Sequence, residues 1–220
     1  MVRNHSVKPQ AIIFDIGRVI VRLNLDRAFA PLAASLDNSR KPGAPQTQLN
    51  PQQIWTAIQS DARWRDWQEG RMTPREWHGH ITEWLKLSLG FADFCAAWNS
   101  VLDPTPILND KVFEFLGRSF RLALLSNTDP VHVEYMERNF SFVRHFPVRV
   151  YSCSVGLRKP DKGIYQAALD AVGVSANGAL YIDDVAEFVD AARQIGLDAI
   201  QFHGPSQLAR ELSVRGIHLL

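Results

Sequence analysis

Five short apolar runs punctuate this chain, and most lead into a longer stretch with helical spacing. The runs are Ile12-Ile13-Phe14, Arg121–Leu125 (RLALL), Val148–Cys153 (VRVYSC), Ala179–Asp184 (ALYIDD) and Asp198–Phe202 (DAIQF). Runs this short, rich in β-branched and aromatic residues, read as strands buried on both faces of a parallel sheet. Behind them, Val133, Met136 and Phe140, then Ile164, Ala168 and Val172, then Val185, Phe188, Val189 and Ala192, recur at the period of a helix with one apolar face. A helix over Pro106–Gly117 precedes the second strand and ends at a glycine suited to a C-terminus. A last helix covers Ser206–Arg215. The alternation predicts an α/β fold: a doubly wound parallel sheet with right-handed crossovers and helices on both faces.

Between the first and second strands the pattern changes. RVIVRLNL continues an extended alternation into a helix over Asp26–Leu36, and Asp37–Asn50 is a Pro-, Gly- and amide-rich stretch read as a mobile loop. Pro51 opens a helix carrying Ile54, Trp55 and Ile58. Thr73, Pro74 and Glu76 form a helix start with a capping box, after which Trp77, Ile81, Trp84 and Leu85 build one apolar face. A further helix spans Phe91–Val101, and no strand is expected between Leu36 and Arg118. All six tryptophans lie between Trp55 and Trp98, which assigns them to the core of a small helical unit inserted into the first domain. The expected division is 1–24 and 103–220 for the α/β core and 25–102 for an all-helical cap.

Composition narrows the partners. A net charge of +1 over 220 residues argues against nucleic acid or an anionic membrane. No apolar run is long enough to span a bilayer, and MVRNHSVKPQ lacks a signal core. Cys95 and Cys153, in a predicted helix and a predicted strand, show no metal spacing, so a reduced, cytoplasmic location is expected. The remaining partner is a small molecule. The pattern does not fix an oligomeric state.

Chemistry gathers at the ends of the strands, which share one edge in a doubly wound sheet. Asp15 closes the first run; Ser126 and Asn127 close the second; Lys159 follows the third; Asp183 and Asp184 close the fourth. Each has a plainer alternative: Asp15 as a turn former, Ser126–Asp129 as a helix cap, Lys159 in a surface loop. Three carboxylates brought together repel unless a cation sits among them, and hard oxygen donors with few protein ligands suit Mg²⁺. A hydroxyl, an amide and an ammonium facing one point would bind phosphoryl oxygens during transfer, leaving Asp15 to attack in line as a nucleophile.

At these residues the sequence resembles the haloacid dehalogenase superfamily of phosphohydrolases. FDIGRVI, LLSNTD, GLRKPDKGIY and YIDD stand in the superfamily's order and spacing over nearly the whole chain. The likeness is greatest to the FDxGxV branch with a helical cap, which includes sugar-phosphate phosphatases and the phosphatase domain of soluble epoxide hydrolases. The resemblance implies that Asp15 is the nucleophile, that Ser126 and Asn127 hold the phosphoryl group, and that Lys159 neutralises it. It implies Asp184 as a direct magnesium ligand with Asp183 beside it, the Gly17 carbonyl as a further ligand, and Trp98-Asn99 as a family-like pair in the cap. Two positions depart from the pattern. Gly17 stands where most of these phosphatases carry a second aspartate that protonates the leaving group, a role typically contributing about 100- to 10,000-fold. Phe188 stands where Asn or Asp is usual. Glu69, His78 and His80 on the cap are candidate replacement bases, with a solvated helix face as the plainer reading of each. The expected activity is magnesium-dependent hydrolysis of a small phosphate monoester. The alternatives are a metal-free dehalogenase-type hydrolase and a catalytically weak ligand- or partner-binding protein of the same fold.

Overall fold

The computed structural model describes residues 8–30 and 50–219. The chain opens with β1 (Ala11–Phe14) and β2 (Val21–Leu23), then runs through five helices: α1 (25–30), α2 (Pro51–Gln59), α3 (Trp64–Gln68), α4 (Pro74–Leu85) and α5 (Phe91–Asn99). It returns through β3 (Leu102–Pro106), α6 (Asp110–Gly117), β4 (Arg121–Ser126) and α7 (Pro130–Asn139). Then follow β5 (Val148–Tyr151), α8 (Ser152–Val155), α9 (Lys162–Val172), β6 (Ala179–Asp183), α10 (Ala186–Gln194), β7 (Asp198–Gln201) and α11 (Pro205–Val214).

Five strands make one parallel sheet in the order β5-β4-β1-β6-β7. The expected doubly wound α/β core is therefore present, and all five of its strands were readable as apolar runs. Side chains alternate across it with the strand's period of two. Ile12, Phe14, Leu122, Leu124 and Ile182 face one apolar cluster, which also takes in Met136, Leu208 and the buried tryptophans. Ala11, Ile13, Ala123, Leu125 and Tyr181 face the other, against α9 and α10. Because β1 is central, the chain winds to one side through β4 and β5 and to the other through β6 and β7. The crevice at the carboxyl end of β1 is thus the topological switch point, where such sheets bind ligands.

The segment between β1 and β4 departs from expectation first in its strands. β3 pairs antiparallel with β2, Leu23 opposite Leu102 and Val21 opposite Pro106, although no strand was expected there. Its sequence, LDPTP, carries two prolines and has the look of a loop; prolines survive in this two-stranded ribbon because each strand is an edge. Pro106 consequently ends a strand, and the following helix starts at Asp110 rather than at residue 106. Val148–Tyr151 stops short of Cys153, which lies in α8 and not in a strand. The predicted capping box is formed: the Thr73 hydroxyl accepts from the Glu76 amide, and Glu76 accepts from the Thr73 amide at 2.7 Å. Residues 31–36 of the first predicted helix and residues 37–49 of the predicted loop lie outside the described residues.

Trp64, Trp67, Trp77 and Trp98 are buried as expected, with Trp67 and Trp77 stacked at 5.4 Å between ring centroids. Trp84 is a correction. It is 41% exposed, lying on His80 instead of joining the core.

Candidate active site

Strand register sets Asp15 and Asp183 side by side. Phe14 pairs with Ile182, so the next residue on each strand is a carboxylate, and the Asp15 amide donates to the Ile182 carbonyl at 2.9 Å. On the other side Phe14 pairs with Leu124, two residues before Ser126 at the end of β4. Oxygens of Asp15, Asp183 and Asp184 lie within 4.8 Å of one another.

Lys159, 1% exposed, reaches into this cluster from the loop before α9. Its Nζ donates to Asp15 Oδ1 at 2.7 Å, to Asp183 Oδ2 at 2.6 Å and to the Leu125 carbonyl at 3.3 Å. Tyr181 and Phe188 flank the ammonium, the Phe188 ring at 5.0 Å. The Asn127 side chain closes a two-way clamp on the Lys159 backbone, accepting from its amide at 2.8 Å and donating to its carbonyl at 2.9 Å. The Asn127 side chain therefore fixes the backbone from which the lysine extends.

The two adjacent carboxylates of YIDD separate into different environments. Asp183 is fully buried; its Oδ1 accepts from the Val185 amide at 2.8 Å, and its Oδ2 accepts from Lys159 and from the Tyr181 hydroxyl. Tyr181 and Asp183 are two apart on one strand and so share a face. Asp184, one step on, lies with Asp15, Gly17, Ser126, Asn127, Lys159 and Phe188 around a cavity of about 240 Å³. Its only ion-pair partner among the described residues is Arg18, at 3.8 Å.

Electrostatically the cluster carries one ammonium against three carboxylates. Burial pushes Asp15 up to about 7, with Asp183 and Asp184 adding to the rise and Lys159 opposing it. Burial and Asp183 also raise Asp184. Burial disfavours the Lys159 charge, but Asp15 and Asp183 hold it above the ordinary lysine value. A cation beside Asp15 and Asp184 would relieve the excess, and the donors are the hard oxygens that Mg²⁺ takes. The residues present fit such an ion.

The cavity also has a wall that sequence reasoning missed. Trp55, Trp64 and Gln68 line it from α2 and α3, and His132 and Arg158 from the core. Trp55 and Trp64 thus serve packing and the cavity together. His132 is held on both ring nitrogens, Nδ1 by Asp129 at 2.9 Å and Nε2 by the Trp98 carbonyl at 3.0 Å. With acceptors at both positions the ring is an imidazolium, and Asp129 holds it above the usual imidazole range against the opposing effect of burial. Asp129 also accepts from the Trp98 indole at 3.0 Å, tying α5 to α7. A cue was present: Asp129 is the N-cap of α7, with His132 three residues on. The predicted bases lie elsewhere. Glu69 binds Arg65 and Arg71, His78 meets the Leu89 carbonyl, and His80 pairs with Asp61; none of them lines the cavity.

A parallel sheet with acidic strand ends meeting a buried lysine at the switch point describes a hydrolase core of the Rossmann-like kind. The family model of haloacid dehalogenase-like hydrolases matches residues 9–196, and the chain belongs to that family. It resembles a HAD family enzyme of Bacteroides thetaiotaomicron, bt-2542, with a TM-score of 0.78 at 20% identity over 94% of this chain and 99% of that one. That enzyme has also been crystallised with magnesium and inorganic phosphate, the match there having a TM-score of 0.75 at 21% identity over 89% and 95% of the two chains. Bifunctional epoxide hydrolase 2 of Sus scrofa is 35% identical over 77 residues, 34% of this chain and 14% of that protein. Phosphatase MT3486 of Mycobacterium tuberculosis (strain CDC 1551 / Oshkosh) is 44% identical over 45 residues, 20% of this chain and 21% of that one. These matches span less than a quarter of either relative. Among the described residues no helix is long and apolar enough to cross a membrane.

Proposed function

We propose that the chain hydrolyses small phosphate monoesters with magnesium, through a phosphoryl group carried on Asp15. The observation that carries this is the asymmetry of the Asp15 carboxylate. Oδ1 is held by Lys159 at 2.7 Å, while Oδ2 receives no hydrogen bond among the described residues, on a side chain still 10% exposed to the cavity shared with Ser126 and Asp184. A nucleophile needs one oxygen fixed and the other free.

In this reading the free oxygen of Asp15 forms a bond to phosphorus as the P–O ester bond breaks and the alcohol leaves, its oxygen taking a proton from water; a second water then cleaves the acyl phosphate, releasing inorganic phosphate and restoring the carboxylate. The Ser126 hydroxyl, the Asn127 backbone amide and the Lys159 ammonium receive the phosphoryl oxygens. Asp15, Asp184 and the Gly17 carbonyl would hold the magnesium ion, which supplies positive charge to the phosphoryl oxygens when bound. Asp183, with both oxygens engaged, serves chiefly to aim Lys159, and Asn127 fixes the backbone from which that lysine extends. Helices α1–α5, entered by β2 and left by β3, act as the cap over residues 25–102.

A phosphate-release assay tests the reading. Asp15→Asn should abolish turnover, and chelation of wild type should abolish it reversibly. Turnover of esters by Asp15→Asn at the wild-type rate would overturn the assignment. Chelator-insensitive hydrolysis of a haloacid would favour the metal-free route instead.

A further inference from the structure

Arg158 is the one charged side chain on the cavity wall with neither a hydrogen bond nor an ion pair among the described residues. It is half-buried, and its backbone is fixed from both sides. The Arg158 carbonyl accepts from the Asp161 amide at 2.9 Å, and the Asn127 side chain clamps the next residue, Lys159. The charges acting on the guanidinium are Arg65 and Glu69 of α3, Asp161 of its own loop and Glu187 of α10. Gln68 of α3 and Phe188 of α10 both line the cavity, so the guanidinium stands where the two walls meet. The end of α3 is held in register there, because the Ser152 hydroxyl donates to the Gln68 carbonyl at 2.7 Å and accepts from the Thr128 amide at 2.9 Å.

The carboxylates that could neutralise it are engaged elsewhere. Glu69 binds Arg65 at 2.7 Å and also Arg71, and Asp161 binds Arg65. Glu187 is exposed on the first turn of α10 and forms no ion pair among the described residues. Burial holds the Arg158 guanidinium below the ordinary arginine range and Arg65 adds to this, with Glu69, Asp161 and Glu187 opposing. A half-buried cation facing a cavity gains from an anion that presents two oxygens to its planar fork. The other cations around the cavity are taken: Lys159 by Asp15 and Asp183, Arg18 by Asp184, His132 by Asp129. Arg158 is therefore the cation left for the part of an ester beyond its phosphoryl group. At about 240 Å³ the cavity is smaller than the roughly 300–1,000 Å³ usual for drug-sized ligands, which limits that part to a few carbons.

We propose that Arg158 is a specificity-determining residue that binds a second anionic group, a carboxylate or a phosphate, carried by a short leaving alcohol. The inference rests on the phosphatase reading above and extends it from the phosphoryl end to the alcohol end. Arg158 takes no part in the bond changes at phosphorus; it selects esters that are charged at both ends.

The test couples a protein change to a substrate change. Full-length wild type, Arg158→Gln and Arg158→Lys are assayed with magnesium against short phosphate esters of one length that end in a carboxylate, a second phosphate or a neutral carboxamide. Wild-type kcat/KM for at least one anionic ester should exceed that for the carboxamide by about 10- to 100-fold. Arg158→Gln should lose that ratio, chiefly through KM, and Arg158→Lys should keep part of it, having the charge without the fork. The anionic ester with the larger loss tells whether the group is a carboxylate or a phosphate. A wild-type ratio near one, or a ratio unchanged in Arg158→Gln, would overturn the inference while leaving the phosphatase reading intact. A second measurement does not depend on turnover: calorimetric binding of the same esters, with magnesium, to Asp15→Asn and to Asp15→Asn combined with Arg158→Gln. Tighter binding of an anionic ester than of the carboxamide, lost in the combined variant, supports the inference. Binding that does not distinguish the esters, or no binding of any, refutes it. If wild type hydrolyses none of the esters, the phosphatase reading fails and this binding comparison alone decides the role of Arg158.

Discussion

At Gly70 the backbone of the helical segment lies against α8 of the core, and its substitution gives a sharp test of how the two halves of the cavity are held together. Its backbone has φ of +70°, and a Cβ there would sit 2.0 Å from the Cys153 carbonyl oxygen in α8. Contacts under 3.0 Å are essentially not found, so Gly70→Ala must open the gap between α3 and α8 by about 1 Å or more. The left-handed conformation adds about 1–2 kcal/mol for any residue with a Cβ. Stretching the Ser152–Gln68 hydrogen bond adds about 1 kcal/mol. A total of about 2–3 kcal/mol corresponds to a fall in Tm of roughly 4–12 °C for a chain of this size. Displacing one wall of a cavity by about 1 Å can cost on the order of 100-fold in rate. Gly156→Ala is the control, since Gly156 has the same φ of +70° with nothing within 4 Å. It should lose stability from the backbone alone and keep wild-type kcat/KM. Calorimetry and ester hydrolysis on the three proteins decide the matter. Equal kinetics for Gly70→Ala and Gly156→Ala would refute the idea that this contact sets the cavity.

Two further perturbations probe the site from other directions. A Cβ at Gly17 would meet only Leu23 Cδ1, at 3.6 Å, which is ordinary contact. Gly17→Asp should therefore fold, and by supplying a proton donor for the leaving oxygen it should raise kcat for alkyl esters by about 10-fold or more; an unchanged rate across leaving groups would mean that the proton already has another source. The Asp129–His132 pair predicts a pH dependence of stability. His132 is held above its ordinary 6.5 and Asp129 below its ordinary 3.8. The Asp129 contribution is present above 3.8 and lost as pH falls through its lower folded value; the His132 contribution is complete below 6.5 and lost as pH rises through its higher one. The Tm advantage of wild type over His132→Gln should be greatest between those two ordinary values and shrink in alkali, and an advantage that kept growing as pH rose above 6.5 would contradict the pairing.

The strands were legible because each is a short block of apolar residues, and the residues at their carboxyl ends could be placed together from the winding rule alone. Legibility stopped where tertiary contact redistributes chemically similar groups. Nothing in YIDD distinguishes Asp183 from Asp184. The distinction comes from Tyr181 and Lys159 meeting Asp183 while its neighbour turns to the cavity. Nor does the sequence show that the Asn127 side chain grips the Lys159 backbone. β3 was hidden by its prolines, and Gln68 by having no sequence partner at all. His132 could have been suspected from its place three residues after the N-cap Asp129. The carbonyl and indole of Trp98 that complete its setting come from a helix more than thirty residues earlier.

The most direct measurement is to quench wild type in acid during turnover of a phosphate ester with magnesium, digest it, and weigh the peptide that contains Asp15. The account predicts a phosphoryl group on Asp15, absent from Asp15→Asn and discharged when the quench is delayed until the ester is exhausted. Hydrolysis of the ester with Asp15 unmodified throughout, or an alkyl ester in place of the phosphoryl group, would contradict it.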